Sequence, residues 1–247
     1  MASTASRLRF KLLAGLTLGL GVASAGTVAV PSAVAKKPPV VRPTQAIAVL
    51  SRAHNVSRAP HAHAHRVGRV PARTPITGVS TVLPVVGRAK SKAGGRWLRV
   101  MLPGRPNGSK GWITQRGTEL TTTPWHVVVR TSSRRVLVYR RAKLTRSFAA
   151  VVGKPSTPTP HGRFFVEESL RMPPGAAGGP FALALSARSN VLQEFDGGPG
   201  QIAIHGVANL GGTPGTAVSH GCVRLANGNV TWLAAHVGAG APVAITP

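Results

Sequence analysis

Cys222 is the only cysteine in a chain of 247 residues. It stands in "SHGCVRL", residues 219–225, two positions after His220 and directly after Gly221. A second histidine, His205, lies 17 residues upstream of it in "QIAIHG". A thiol and two imidazoles offer three chemistries. As a thiolate the cysteine is a nucleophile, with an imidazole taking and returning its proton. As one of three protein ligands it could hold zinc with a position left open for water. As a buried small side chain it does no chemistry, which is the usual fate of a free cysteine. Fourteen residues between the histidines and one between His220 and Cys222 is not a familiar zinc spacing, so no metal is expected. The run "HAHAH" at 61–65 could also take a metal, but its surroundings promise no fixed geometry.

Strand alternation separates the remaining readings. In "QIAIH", Ile202 and Ile204 point one way, and Ala203 and His205 point the other. In "CVRL", Val223 and Leu225 take the core side, which leaves Cys222 and Arg224 together on the opposite face with His220 near it. A cysteine on the polar face of its own strand is not placed as core filling. The amides of Gly221 and Cys222 could act as an oxyanion hole, because glycine lets the backbone approach a ligand closely. A neighbouring imidazolium and the Arg224 cation would lower the thiol pKa and give a thiolate–imidazolium pair at neutral pH. His205 and His220 are both candidate bases.

The elements that must position these groups are short strands. Gly 29 and Pro 21 make long helices unexpected, and short Val/Ile/Leu runs between turn residues point to a mainly β protein. In the last half, "WHVVVR", "RVLVYR" and "TRSFAAVVG" read as successive strands, the first two joined by the hairpin turn "TSSR". "GKPSTPTPHG" is forced into an extended course by its prolines before a strand begins at Arg163. Ser169 to Gly200, with "PPGAAGGP" and "DGGPG", reads as a long irregular lid. "NGNVTWLAAHVG" fits one short helix, capped by Asn227 or Asn229, with Val230, Leu233, Ala234 and Val237 on one face.

Upstream the chain changes character three times. Residues 1–35 carry Arg7, Arg9 and Lys11 before an uncharged run, then small-residue patterns at Ala23-Ser24-Ala25 and Ala33-Val34-Ala35. That is the pattern of a secretory signal peptide, with an uncleaved membrane anchor as the rival reading. Residues 36–75 hold six prolines, eight basic residues and no acidic or aromatic residue, which predicts a disordered basic linker. Residues 76–123, with "STVLPVVGRAK", "RWLRVMLP" and "KGWITQ" between turn clusters, predict a small β-barrel. Their pattern around Trp97 resembles the SH3-like domains attached to bacterial cell-wall enzymes, which implies wall or peptide binding. The catalytic segment would then be 124–247. The net charge of +26 comes without a dense basic run interleaved with aromatics, and nucleic acid is not an expected partner of an exported protein. Anionic cell-wall polymers or lipid head groups are partners that charge alone permits.

His205-Gly206 followed by "SHGCVRL" resembles the signature of the L,D-transpeptidase catalytic domain of bacterial cell-wall enzymes. "GKPSTPTPHGRF" is similar to the strand-turn region of the same family, and the resemblance covers residues 125–245. It implies two packed sheets with short helices and a lid, no cofactor, and peptidoglycan stem peptides as donor and acceptor. Carried over by position, Cys222 is the nucleophile and His205 the base and acid, its ring oriented by the Gly206 carbonyl. Ser219 and His220 position substrate or site, Gly221 contributes a backbone donor and Arg224 shapes the floor. Phe181 stands at a substrate contact where relatives would carry tyrosine. The implied reaction is a 3→3 cross-link made through a cysteine thioester, with carbapenem β-lactams as inhibitors. An L,D-carboxypeptidase of the same fold and a catalytically silent wall-binding protein are the alternatives.

Overall fold

The computed structural model describes residues 39–195 and 197–247; the expected leader at 1–35 lies outside the described residues. No helix among the described residues is long and apolar enough to cross a membrane. The chain is mainly β. The first sheet is made of β1 (Gln45–Leu50), β2 (His54–Ser57), β3 (Arg66–Val70), β4 (Val82–Lys90), β5 (Arg96–Met101), β6 (Lys110–Thr114) and β7 (Thr118–Thr123), in the order β3-β2-β6-β5-β4-β1-β7.

This sheet corrects two expectations. Residues 36–75 are not simply a spacer, because they supply three of its seven strands. Residues 76–123 do not close on themselves, because β1 is inserted between β4 and β7, with β2 and β3 beyond β6. The physical reason is non-local. Ala48, Leu50, Val56 and Val70 share one core with residues later in the chain, among them Leu83, Leu98, Val100, Ile113 and Phe165. A local count of prolines and charges does not register that core.

The second sheet contains β8 (Trp125–Arg130), β9 (Arg135–Arg140), β10 (Lys143–Ala149), then β12 (Gly162–Arg171), β13 (Phe181–Arg188), β14 (Gln201–Gly206), β16 (Val223–Leu225) and β17 (Pro242–Thr246). Their order is β10-β9-β8-β17-β12-β13-β14-β16. Two short parallel strands, β11 (Val152–Gly153) and β15 (Ala217–Ser219), pair separately. The helix α1 (Asn227–His236) buries Val230 and Leu233 in the same core as Val127, Val129, Phe164, Ile202, Ile204, Val223 and Leu225. Each such side chain contributes roughly 1.5–3 kcal/mol on burial.

The strand β12 is shared between the two cores. Successive side chains on a strand face opposite ways, so Phe164 enters the second core while Phe165 enters that of the first sheet. Thr77 reinforces the join, donating from its amide (2.9 Å) and hydroxyl (2.6 Å) to Oε2 of the buried Glu168. Pro38–Pro247 accordingly forms one unit.

Two local expectations are also revised. The stretch 169–200 is not irregular throughout: 169–171 end β12 and 181–188 form β13, which leaves 172–180, 189–195 and 197–200 irregular. The helix has Ala226 at its N-cap without a side-chain cap bond. Asn227 instead turns its Oδ1 to accept from the Val207 amide at 3.1 Å, tying the helix start to the end of β14.

Candidate active site

The parallel pair β14 and β16 builds the site. Ile204 lies opposite Val223, and His205 opposite Arg224. Ile202, Ile204, Val223 and Leu225 are buried on the core side, while Ala203, His205, Cys222 and Arg224 are half-buried on the other face. The alternation read from the sequence therefore holds, and its outer face opens into a cleft of about 990 Å³ that His205, His220, Cys222 and Arg224 all line.

Cys222 sits just before β16. Its Sγ accepts from the Ala203 amide at 3.4 Å, and the Gln201 carbonyl lies 4.0 Å from the sulfur. His205 Nδ1 lies 2.8 Å from the Gly206 carbonyl oxygen. A carbonyl can only accept, so Nδ1 carries the hydrogen and Nε2 of the neutral ring keeps its lone pair. The ring is held from behind by Gly178, whose φ is +79° and where a Cβ would stand 2.7 Å from Nδ1.

Electrostatics revise the expected ion pair. Burial pushes the Cys222 thiol up, against the Ala203 hydrogen bond and the Arg224 charge, which pull it down. Burial also holds the His205 imidazole below its ordinary 6.5; the Gly206 carbonyl opposes this and Arg224 adds to it. Both desolvation effects favour the neutral form. Burial thus works against the thiolate–imidazolium pair expected from the sequence.

The remaining sequence-derived residues take different places. The Gly221 amide is donated to Ser219 Oγ at 3.1 Å, so it is not the expected oxyanion donor in this arrangement. Ser219 is fully buried and its hydroxyl also donates to the Cys222 carbonyl at 2.6 Å; it braces the loop and does not face substrate. His220 is exposed and stacks on Phe195, with ring centroids 5.6 Å apart. Arg224 donates from Nη1 to the Gly211 carbonyl, and its Nε is buried without a partner among the described residues. Phe181 does not reach the cleft. It pairs with Arg171 at the start of β13 and packs on the main core, while its neighbour Ala182, of opposite parity, lines the cleft across from His205. Among the described residues no group of three or more His, Cys, Asp or Glu is placed to share a metal ion.

Sequence reasoning missed two threonines. Thr157 Oγ1 donates to the Ser219 carbonyl at 3.2 Å, and Thr159 Oγ1 to the Gly221 carbonyl at 2.8 Å while accepting from the Gly153 amide at 2.9 Å. Both are buried. They let the backbone at Gly221 hold φ at +122°, a left-handed geometry that favours glycine and that presents Cys222 to the cleft. The signal that could have found them is the alternation of threonine with proline in "STPTP", an extended course that leaves each hydroxyl free to serve another segment.

Comparison with known proteins agrees with the motif. The family model for the YkuD L,D-transpeptidase catalytic domain matches residues 124–245. The YkuD protein of Bacillus licheniformis is 35% identical over 127 residues, covering 51% of this chain and 68% of the relative. That of Bacillus subtilis is 32% identical over 127 residues, covering 50% and 67%. Solved structures that resemble the chain include an L,D-transpeptidase in complex with imipenem (19% identity, TM-score 0.44, 78% of this chain and 95% of that one). Another is an L,D-transpeptidase from Mycobacterium smegmatis (17% identity, TM-score 0.40, 81% and 99%). With the matched segment carrying the thiol, both histidines and the loop that presents them, the chain belongs to the YkuD family of L,D-transpeptidase catalytic domains.

Proposed function

We propose that the protein is an exported peptidoglycan L,D-transpeptidase that forms 3→3 cross-links through a Cys222 thioester. The observation that carries this reading is Cys222 and the oriented His205 on one face of adjacent strands, lining one cleft. His205 Nε2 takes the thiol proton as Sγ attacks the carbonyl of the third residue of a tetrapeptide stem. The Ala203 N–H at the sulfur favours the thiolate as it forms. The Cys222 amide is the donor proposed for the oxyanion, since Gly221 is engaged by Ser219. As the tetrahedral intermediate collapses, the C–N bond breaks and the terminal D-alanine leaves with the proton from His205. The side-chain amine of a second stem then attacks the thioester, gives its proton to His205 and releases the thiol. Bonds and protons balance without a cofactor.

In this cycle charge develops only as Sγ attacks and its proton passes to His205. A carbapenem would acylate the same sulfur; imipenem is the ligand of one L,D-transpeptidase whose structure resembles this chain. The acidic groups of cell-wall polymers are the partners proposed for the net charge of +26. The test is intact-mass measurement after incubation with a carbapenem and, separately, with purified tetrapeptide stems. Wild type should gain one acyl adduct and make dimers with loss of D-alanine, and Cys222→Ala neither. Cross-linking by Cys222→Ala would sink the thioester, and tripeptide as the only product would make the enzyme a carboxypeptidase.

A further inference from the structure

The cleft has a wall that its own sheet does not secure. Residues 189–195 and 197–200 connect β13 to β14 and place Leu192 and Phe195 along the cleft. Among the described residues, apart from a local bridge between Phe195 and Gly198, no strand pairs with this segment. Within it, the Ser189 amide donates to the Gly200 carbonyl at 2.8 Å, and Ser189 Oγ accepts from the Val191 and Leu192 amides at 3.2 and 3.0 Å. Further bonds come from the other sheet, from the turn joining β5 to β6. Arg105 Nη1 donates to the Pro199 carbonyl at 2.9 Å; Nη2 donates to those of Ser189 at 2.9 Å and Leu192 at 3.1 Å. One guanidinium thus gathers both ends and the middle of the segment. Two residues on, Asn107 Oδ1 accepts from the Arg188 amide at 2.8 Å, and Nδ2 donates to the Arg188 carbonyl at 2.7 Å and to Asn190 Oδ1 at 3.1 Å. The far side of the wall meets the nucleophile loop through the stacking of Phe195 on His220.

Three carbonyls converging on one guanidinium need its rigid fork of donors, which a lysine ammonium does not reproduce. We infer that Arg105 and Asn107, which lie outside the family-matched segment 124–245, are positioning residues that hold the Leu192–Phe195 wall against the Cys222 cleft and so set how tightly the acyl donor is seated. This rests on the thiol chemistry proposed above. They touch no reacting atom; they act through Leu192 and Phe195. The first sheet then serves the reaction directly, and is more than a tether.

The test is carbapenem acylation kinetics on the full chain for wild type, Arg105→Ala, Arg105→Lys, Phe195→Ala and the Arg105→Ala/Phe195→Ala double variant. Hydrogen exchange at the Ser189, Leu192 and Phe195 amides is followed alongside. Arg105→Ala should lower the second-order acylation constant about tenfold, through weaker binding with the limiting rate nearly unchanged. Arg105→Lys should fall between, and the double variant should be no worse than the worse single. The wall amides should exchange at least about tenfold faster in Arg105→Ala. Wild-type acylation and exchange in Arg105→Ala would overturn the inference. So would a loss confined to the limiting rate with a lowered melting temperature, while Phe195→Ala, at an exposed side chain, acylates normally. If wild type itself is not acylated, the thiol chemistry fails, and unchanged exchange protection in Arg105→Ala would still refute the clamp.

Discussion

Replacing Thr159 by valine keeps the shape of the side chain and removes only its hydroxyl. That hydroxyl is the sole link in a chain of contacts running from the Gly153 amide, through Oγ1, to the Gly221 carbonyl, at 2.9 and 2.8 Å. Thr159 is 3% exposed, so water cannot take over either bond in place. Two buried backbone groups are left unpaired, at roughly 1–3 kcal/mol each, and local relaxation recovers part of it; about 2–4 kcal/mol of stability should be lost. For a domain of this size that lowers the melting temperature by about 5–15 °C. The cost falls on Gly221, the residue before Cys222, whose φ is +122° and whose carbonyl Thr159 holds. Carbapenem acylation should therefore slow by about tenfold or more even where the variant is fully folded. Thr159→Ser keeps both hydrogen bonds and should lose only about 1 kcal/mol with the methyl group, and acylate normally. Calorimetry and time-resolved intact-mass measurement report the two quantities. A Thr159→Val protein within about 0.5 kcal/mol of wild type that acylates at the wild-type rate would refute the reasoning.

Two further outcomes concern protons. Alkylation of Cys222 by iodoacetamide should follow a titration with its midpoint above the ordinary 9.0, because burial raises the thiol; a midpoint between about pH 5 and 7 would restore the ion pair. Buried beside Arg163, with burial the larger cause, His126 is pushed down to about 4. Between pH 6.5 and about 4 the unfolded chain binds a proton that the folded chain refuses, so stability present above 6.5 is lost as the pH falls through this window. The loss is at most about 3–4 kcal/mol, and His126→Gln should flatten that part of the denaturation profile; an unchanged profile would show the ring to be solvated.

The face on which Cys222, His205 and Arg224 lie was legible in "QIAIH" and "CVRL". A strand has a period of two, so where Ile202, Ile204, Val223 and Leu225 go, Cys222, His205 and Arg224 must go the other way. The family was legible because its motif is local, contained within residues 205–206 and 219–225. The hairpin from "WHVVVR" to "RVLVYR" and the helix within "NGNVTWLAAHVG" were equally local. Phe181 was misplaced because the frame of β13 was not known, and a shift of one residue moves a side chain from cleft to core.

Tertiary structure decided what depends on distant partners. The strands at 45–70 form because their apolar side chains are covered by residues on β4 to β6, against a local composition that argues for a spacer. Thr157 and Thr159 acquire their role from a loop 62 residues away. The protonation of the thiol and of His205 is set by how much of the fold closes over them, a desolvation that no spacing encodes. Periodicity fixes which way a side chain faces; only the packed chain fixes what it meets there.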